Sequence, residues 1–216
     1  GGLHASWTYR YNSSSPTGHS GYQTNHNLFY AYSPDNGATW YKDIAGTIPY
    51  PVEINEQNSQ IIVDIPEGSS LINTGTQSID AHDRPAIATW WAPHANAPMP
   101  DHRRQYMYVG HDGTNWFTSQ ITHRRSDPNS PVPESNLGAN HMGRPQIVFD
   151  DYNRAYVIYK DNDNGGGVTA AYSQTESRDD WEFIKLTTTD LGYYEPTLDR
   201  ALWDSSRQMH ILVQNI

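Results

Sequence analysis

The expected fold depends on one short stretch of sequence, Ser33-Pro34-Asp35-Asn36-Gly37-Ala38-Thr39-Trp40. It matches S-x-D-x-G-x-x-W, the Asp-box, which forms a tight turn between two antiparallel strands. In this turn we expect Asp35 to accept hydrogen bonds from nearby backbone amides, Gly37 to take a positive φ, and Trp40 to fill the space between strands. The motif therefore predicts β structure and carries no catalytic chemistry itself.

The order of elements around the turn repeats along the chain. Each copy has a strand, a second strand containing tyrosine, and a loop that ends on tryptophan. The predicted copies are Leu3–Tyr9 with Leu28–Ser33 and Trp40, Ala86–Trp91 with Gln105–Gly110 and Trp116, and Ala155–Lys160 with Gly167–Ser173 and Trp181. The turn at Gly110–Trp116 is a decayed copy of the motif, and the turn that ends at Trp181 has lost the glycine. Two further segments, Arg84-Pro85-Ala86-Ile87 and Arg144-Pro145-Gln146-Ile147, resemble each other.

Helical periodicity is nearly absent, and short alternating segments separated by Gly, Asn, Asp and Pro predict an all-β protein. The remaining predicted strands are Gln60–Ile65, Thr118–His123, Gln146–Asp150, Trp181–Thr187 and Met209–Gln214. Such segments are typical of a sandwich, a barrel or a propeller, and the repeat with its Asp-box favours a β-propeller, whose blades need about 40–50 residues each. The 216 residues therefore hold about three to four blades, with an insertion between Gly46 and Ala81. Propellers have about 4–8 blades, so we expect residues 1–216 to be part of a single larger propeller domain whose N-terminal blades lie outside the chain.

Composition excludes several classes of protein. There are 14 Lys and Arg against 24 Asp and Glu, which gives a net charge of −10 and argues against nucleic-acid binding. No apolar run approaches the roughly 18 residues of a membrane span. The absence of cysteine excludes disulfides, a thiolate nucleophile and a cysteine-ligated metal. No signal peptide is visible at the first residues.

Two of the ten histidines are candidates for proton transfer. His4 lies on the first predicted strand and His26 precedes the next, so the two imidazoles converge near the propeller axis if these strands are neighbours. An imidazole has a reference pKa of about 6.5, which suits general acid–base chemistry. The alternative is a pair of histidines that are hydrogen-bonded in a wet central channel.

Arginine is the preferred cation of this chain, because only three residues are lysine. Arginine binds carboxylate and sulfate through two parallel hydrogen bonds. Arg124 follows the end of a predicted strand, 16 residues after Tyr108, a separation that fits one hairpin. The segment Asp161–Gly165 is similar to the start of a calcium loop, but Tyr172 stands where an EF-hand needs glutamate, so a polar turn is favoured.

Several ordered motifs resemble the BNR-repeat ulvan lyases. They are Leu3–Trp7, Asn25–Ser33 with the Asp-box, Gln120–Arg124, Gly143–Val148, Asn153–Ile158, Trp181–Phe183, Tyr194–Pro196 and His210–Gln214. The resemblance implies a seven-bladed propeller that cleaves an anionic, sulfated algal polysaccharide by β-elimination beside a uronic acid. It also implies a secreted or periplasmic bacterial enzyme, either a monomer or associated with the remaining blades, with no nucleic-acid or membrane partner. The chemistry needs no cofactor, and a structural calcium or zinc would have to be held without cysteine.

The resemblance implies a catalytic set of His4, His26, Tyr108 and Arg124. Arg124 would bind the uronate carboxylate and stabilise the enolate charge, while His4 takes the C5 proton and His26 binds substrate or orients the base. The base could equally be His26. Tyr108 would protonate the leaving oxygen at C4 or share the role of the base. Further substrate contacts are expected from Arg10, Asn25 and Arg125.

Two other functions remain open on the sequence. A sialidase-like glycoside hydrolase would use Tyr194 as nucleophile beside Glu195, with arginines binding the substrate carboxylate. A carbohydrate-binding propeller without catalysis would need neither set, and the fold alone does not choose among the three functions.

Overall fold

The computed structural model describes residues 1–11, 15–73, 75–94, 103–124 and 142–214. These residues form four antiparallel sheets of three, four, four and two strands, which follow one another along the chain. The sheets are propeller blades, so the prediction of an all-β propeller fold is confirmed. No helix within the described ranges is long and apolar enough to cross a membrane.

We number the blades 1 to 4 in chain order. The elements are β1 (Leu3–Tyr9), β2 (His26–Ser33) and β3 (Gln60–Val63) in blade 1; β4 (Thr76–Ile79), β5 (Pro85–Trp91), β6 (Gln105–His111) and β7 (Trp116–Gln120) in blade 2; β8 (Gln146–Phe149), β9 (Ala155–Asp161), β10 (Gly167–Ser173) and β11 (Glu182–Lys185) in blade 3; and β12 (Thr197–Leu198), helix α1 (Arg200–Ser206) and β13 (Ile211–Leu212) in blade 4. The three predicted copies correspond to β1–β2, β5–β6 and β9–β10, which are equivalent strand pairs of successive blades.

Each blade packs on the next because successive side chains of a strand point to opposite faces. On β5, Ala86, Ala88 and Trp90 face blade 3, whereas Ile87 and Trp91 face blade 1. Three separate apolar clusters result, one in each interface between neighbouring blades. The hydrophobic core is therefore divided among the three interfaces. A functional side chain can be located by the interface in which it lies and by the end of the sheet that it is near.

The two ends of the sheets differ. The turn end carries the Ser33–Trp40 turn and its counterparts after β6 and β10. The loop end carries the segments that precede β2 and β6 and those that follow β3 and β7. A side chain's position along its strand therefore decides the end at which it acts.

The Ser33–Trp40 turn has the predicted hydrogen bonds. Asp35 accepts from the amide and the hydroxyl of Thr39 at 2.8 and 2.6 Å, and Ser33 Oγ accepts from the amide of Gly37 at 2.7 Å. Gly37 has a φ of 92°. In the third copy Arg178 has a φ of 54°, so an arginine takes the left-handed conformation where the motif has lost its glycine.

The predicted similarity between Arg84-Pro85 and Arg144-Pro145 is not a structural repeat. Arg84 directly precedes β5, the second strand of its blade, whereas Arg144 precedes β8, the first strand. The true counterpart of Arg84 is Arg154, because each closes a turn by donating its backbone amide to an aspartate four residues earlier, at 2.9 Å. The two aspartates are Asp80 and Asp150.

Three of the named elements were not predicted from the sequence: β4, β12 and helix α1. β4 has the sequence Thr76-Gln77-Ser78-Ile79, which is only half-buried and lacks apolar alternation. Helix α1 is one short segment, capped by Asp199, whose carboxylate accepts from the amide of Leu202 at 3.0 Å. Its Trp203 is buried in the cluster between blades 3 and 4.

Candidate functional site

The two predicted catalytic histidines lie at opposite ends of the β1–β2 pair. His4 pairs with Tyr32 near the turn end, whereas His26 pairs with Tyr9 at the loop end. Five strand positions separate these pairs, which corresponds to roughly 17 Å along the strand. The prediction that the two imidazoles converge is therefore wrong, because the antiparallel register separates them.

His4 is held by a tyrosine inside the interface between blades 1 and 2. Its Nδ1 lies 2.5 Å from Tyr30 Oη, and its Nε2 is buried without a hydrogen-bond partner among the described residues. Burial lowers the pKa of His4, and the nearby carboxylate of Asp83 only partly opposes this. The ring is therefore neutral near pH 7, a state suited to a base, but it lies at the turn end.

His26 is fixed at the loop end by two oxygen acceptors. Nδ1 lies 2.9 Å from the carbonyl oxygen of Thr24, and Nε2 lies 2.9 Å from Glu56 Oε1. Because a carbonyl and a carboxylate only accept, both contacts are hydrogen bonds when the ring carries two protons. The ring of Tyr11 stacks on His26 with centroids 5.2 Å apart, and the charge of Glu56 raises the pKa of Tyr11.

A cleft of about 430 Å³ opens beside His26. Its lining is polar and acidic, and consists of Thr17, His19, His26, Asn27, Asp64, Ile65, Pro66 and Glu67. Of the predicted substrate-binding residues, Arg10 is exposed at this end, and Asn25 is buried with its amide donating to the carbonyl of Leu71 at 2.7 Å. Arg125 lies outside the described residues. Because the described residues of its lining include no lysine or arginine, the cleft suits sugar hydroxyl groups better than an anion.

Tyr108 lies in the interface between blades 2 and 3 and points away from the loop end. A Cβ added to Gly110 would lie 2.5 Å from Tyr108 Oη, so the hydroxyl extends towards the turn end. The guanidinium of Arg178 lies 5.8 Å from the centre of its ring. Burial raises the pKa of Tyr108, although Arg178 opposes the rise. The structure therefore does not bring Tyr108 together with either histidine or with Arg124.

Arg124 lies at the loop end and is only 3% exposed. Its backbone amide donates to Gln105 Oε1 at 2.7 Å, and its Nη1 donates to the carbonyl of Arg104 at 3.2 Å. Nε and Nη2 have no partner among the described residues. These two atoms form one edge of the guanidinium, which matches the two oxygens of a carboxylate. The prediction that Arg124 can bind a carboxylate thus has a geometric basis in a free donor edge.

Three aromatic residues that the sequence did not single out lie in the same interface as Arg124, on its loop side. Trp90, Tyr106 and Tyr159 belong to one apolar cluster, and the rings of the two tyrosines lie 4.4 Å apart. Burial raises the pKa of both tyrosines, and the charge of Arg124 opposes the rise in each. Tyr106 Oη lies within 3.0 Å of the carbonyl oxygens of Gly143 and Lys160, whereas no such contact engages Tyr159 Oη in the described part of the chain. The sequence offered one signal for Tyr159, which was its position in the predicted strand Ala155–Lys160.

The residues proposed for the other functions are engaged elsewhere. Glu195 accepts from Arg144 Nη1 at 3.0 Å, and Tyr194 packs against the cluster between blades 3 and 4. Asp161 accepts from the amide of Asp163 at 3.0 Å within a polar turn, as favoured from the sequence. Within the described ranges, no group of three or more His, Asp or Glu residues could hold a metal ion.

Comparisons with known proteins agree with the architecture. A family described as "BNR repeat-containing family member" matches residues 1–124. A solved ulvan lyase of a new polysaccharide lyase family, bound to -[GlcA(1-4)Rha3S]-, superposes with a TM-score of 0.53 at 12% identity, as does a second structure of an ulvan lyase from that family. Each match covers 85% of this chain and 42% of the solved chain, so this chain spans less than half the length of those proteins. No curated protein matches.

Proposed function

We propose that this chain, which belongs to the BNR repeat-containing family, forms part of a polysaccharide lyase that acts on ulvan. The reaction would be β-elimination at the C4–O bond of a uronic acid, which leaves a 4,5-unsaturated uronate end. The fold shared with ulvan lyases supports the proposal but does not by itself fix the reaction. The substrate is a polymer outside the cell, so we also propose a secreted or periplasmic enzyme.

The observation that carries the proposal is the free edge of Arg124. A buried guanidinium whose Nε and Nη2 lack partners among the described residues is unfavourable until an acceptor arrives. No carboxylate of the described residues forms an ion pair with it. An incoming uronate carboxylate would supply both missing acceptors in one planar contact.

This contact would assist elimination directly. Loss of the C5 proton places negative charge on the uronate carboxylate as an enolate develops. A positioned cation stabilises that charge in the transition state, and one such donor is worth about 3–4 kcal/mol. Arg124 would therefore lower the barrier to proton removal as well as bind the substrate.

Tyr159 is the phenol that we propose as the proton donor to the leaving oxygen. It lies in the interface beside Arg124, and its raised pKa keeps the hydroxyl protonated near neutral pH. A neutral phenol can donate its proton to the leaving O4 while its oxygen accepts the C5 proton. The C5–H and C4–O bonds would then break, the C4=C5 bond would form, and Tyr159 would end protonated. Proton donation is the role first predicted for Tyr108. No cofactor takes part in this scheme.

His26 is the predicted histidine that lies at the same end as Arg124. We propose that it and the cleft beside it bind sugar residues of the same polymer away from the cleaved bond. Glu56 orients the ring, and the stacked Tyr11 presents an aromatic face of the kind on which sugar rings pack. His4, at the turn end, has no direct part in this arrangement.

A carbohydrate-binding propeller without catalysis is the second candidate. It is favoured by the separation of His4, His26, Tyr108 and Arg124, because elimination needs acid, base and carboxylate contact around one sugar residue. Neither candidate needs Tyr194 or Glu195, and the ion pair of Glu195 with Arg144 weighs against a sialidase-like hydrolase.

One assay separates these functions. Incubation with ulvan should produce rising ultraviolet absorbance from the conjugated unsaturated uronate together with new reducing ends. New reducing ends without the absorbance would indicate a hydrolase. Binding to ulvan with neither signal would contradict the lyase proposal and support the binding propeller.

A further inference from the structure

We propose that Trp90 is a second ligand-binding residue of the Arg124 pocket, and that its indole N–H shares the bound carboxylate with the Arg124 guanidinium. This inference rests on the proposed function for the identity of the ligand, a uronate carboxylate. The site, called the Arg124 pocket here, is defined by donor atoms without partners among the described residues and does not depend on catalysis.

The first support is that Trp90 lacks a partner for its only polar atom. The residue is 7% exposed, and its Nε1 has no acceptor among the described residues. The indole nitrogen is a donor only, so the missing partner must be an acceptor. Buried donors in native proteins are almost always paired, and an orphan donor therefore points to a ligand or a water.

The second support is that the orphan donors of Trp90 and Arg124 belong to one local structure. The guanidinium of Arg104 lies 5.2 Å from the centre of the Trp90 ring, and the carbonyl of Arg104 accepts from Arg124 Nη1. Trp90 also pairs across the sheet with Tyr106, whose pKa is affected by the charge of Arg124. Three donor atoms without a partner among the described residues, Trp90 Nε1 with Arg124 Nε and Nη2, thus belong to the same interface between blades 2 and 3.

A carboxylate fits this set of donors. Its two oxygens accept the two parallel bonds of the guanidinium edge, and each oxygen keeps a lone pair for a further donor. The indole N–H would fix the rotation of the carboxylate and hence the position of C5. Neutral sugars offer no group that satisfies the three donors together.

The chain offers a matched pair of variants for the test. Trp90→Phe keeps an aromatic ring in the interface and removes the N–H. Trp91→Phe makes the same change at the neighbouring residue, which faces blade 1 in another cluster. Calorimetric titration with glucuronate should show binding to the wild type that weakens roughly tenfold or more in Trp90→Phe. Trp91→Phe should match the wild type, and glucose should not bind.

The NMR signal of the Trp90 indole gives a second readout, measured on the wild-type protein and assigned with the Trp90→Phe variant. In the wild type with ¹⁵N-labelled tryptophan, the indole resonance absent from Trp90→Phe should shift when glucuronate is added. Equal affinity of Trp90→Phe and wild type, or an unmoved Trp90 indole resonance at saturating glucuronate, would overturn the proposal. Glucuronate binding that needs Trp90, without any unsaturated product from ulvan, would support the pocket and contradict only the lyase function.

Discussion

Arg84 of blade 2 forms an ion pair with Glu176 of blade 3, with Nη2 and Oε2 2.5 Å apart. The other oxygen of Glu176 accepts from Asn153 Nδ2 at 2.5 Å. Hydrogen bonds from Arg84 and Asn153 lower the pKa of Glu176 against the opposing effect of burial. The turn that follows β10 is therefore bonded to both blades, on the side opposite the Arg124 pocket.

We expect Glu176→Ala to lower the free energy of unfolding by about 1 kcal/mol, because the pair is partly exposed and screened by solvent. Glu176→Gln keeps an oxygen for Asn153 and should lose less. Urea denaturation of the two variants and the wild type measures both values. An unchanged midpoint for Glu176→Ala would show that the contact between blades contributes nothing.

Removal of the Arg124 guanidinium should cost little stability. Arg124→Met takes away a buried cation whose Nε and Nη2 have no partner in the described part of the chain, and fills much of the same volume with an apolar chain. We expect the melting temperature to stay within a few degrees of the wild type or to rise, while turnover of ulvan falls roughly 10²-fold or more. A large loss of stability would instead assign Arg124 a structural role.

Tyr108 was predicted from the sequence to be the acid, and Tyr159 is proposed from the structure. Loss of either hydroxyl should affect turnover differently. Tyr108→Phe removes a hydroxyl that lies towards the turn end, and we expect turnover within about threefold of the wild type. Tyr159→Phe removes the proposed acid and should lower kcat roughly 10²-fold or more. A lower kcat for Tyr108→Phe than for Tyr159→Phe would indicate that Tyr108 is the acid.

Substitution of His4 should affect the stability of the protein, whereas substitution of His26 should affect substrate binding. His4→Ala leaves the buried hydroxyl of Tyr30 without its ring partner, which should cost about 1–3 kcal/mol of stability. It should leave kcat on ulvan nearly unchanged. His26→Ala should instead raise KM, since the proposed role of His26 is to bind sugar residues. A strong fall in kcat for His4→Ala, with the fold intact, would contradict this division.

Asp180 should make the protein sensitive to acid. Burial alone would raise its pKa, but hydrogen bonds from Ser173, Thr175 and the amide of Gln174 outweigh it and lower the pKa to about 2. In the unfolded chain the pKa is about 3.9. Because the folded pKa is the lower one, this stabilisation is present above about pH 4 and is lost as the pH falls towards 2.

Asp180→Asn should therefore be less stable than the wild type at pH 7, by about 1–3 kcal/mol. The difference in melting temperature should narrow between pH 4 and pH 2. Thermal unfolding followed across this range tests the sign. A difference that widens on acidification would mean that the carboxylate is not the form stabilised in the fold.

The fold could be predicted because the signals of a propeller blade are local. The Ser33–Trp40 turn closes through contacts within eight residues, and strand alternation is visible in any short window. β4 was missed because its sequence, Thr76-Gln77-Ser78-Ile79, has no apolar face to detect. The segment is a strand because it pairs with β5, and this pairing cannot be predicted from the local sequence.

The site could be predicted only in part, because its geometry depends on register. Arg124 was identified from its residue type and its place after a strand. His4 and His26 belong to neighbouring strands, as expected, but antiparallel pairing sets them at opposite ends. Tyr106 and Tyr108 lie on the same face of β6. The hydroxyl of Tyr108 extends towards the turn end, whereas Tyr106 lies nearer the loop end, and the sequence does not show this difference.

The proposed function depends on binding of the uronate carboxylate to Arg124 Nε and Nη2, which have no partner within the described ranges. A crystal structure of the protein with a glucuronate-containing ulvan oligosaccharide tests it most directly. We expect both carboxylate oxygens within about 3 Å of Arg124 Nε and Nη2, at the loop end between blades 2 and 3. An ordered oligosaccharide with its carboxylate at the turn end, or in the cleft beside His26 with no contact to Arg124 Nε or Nη2, would be incompatible with this proposal.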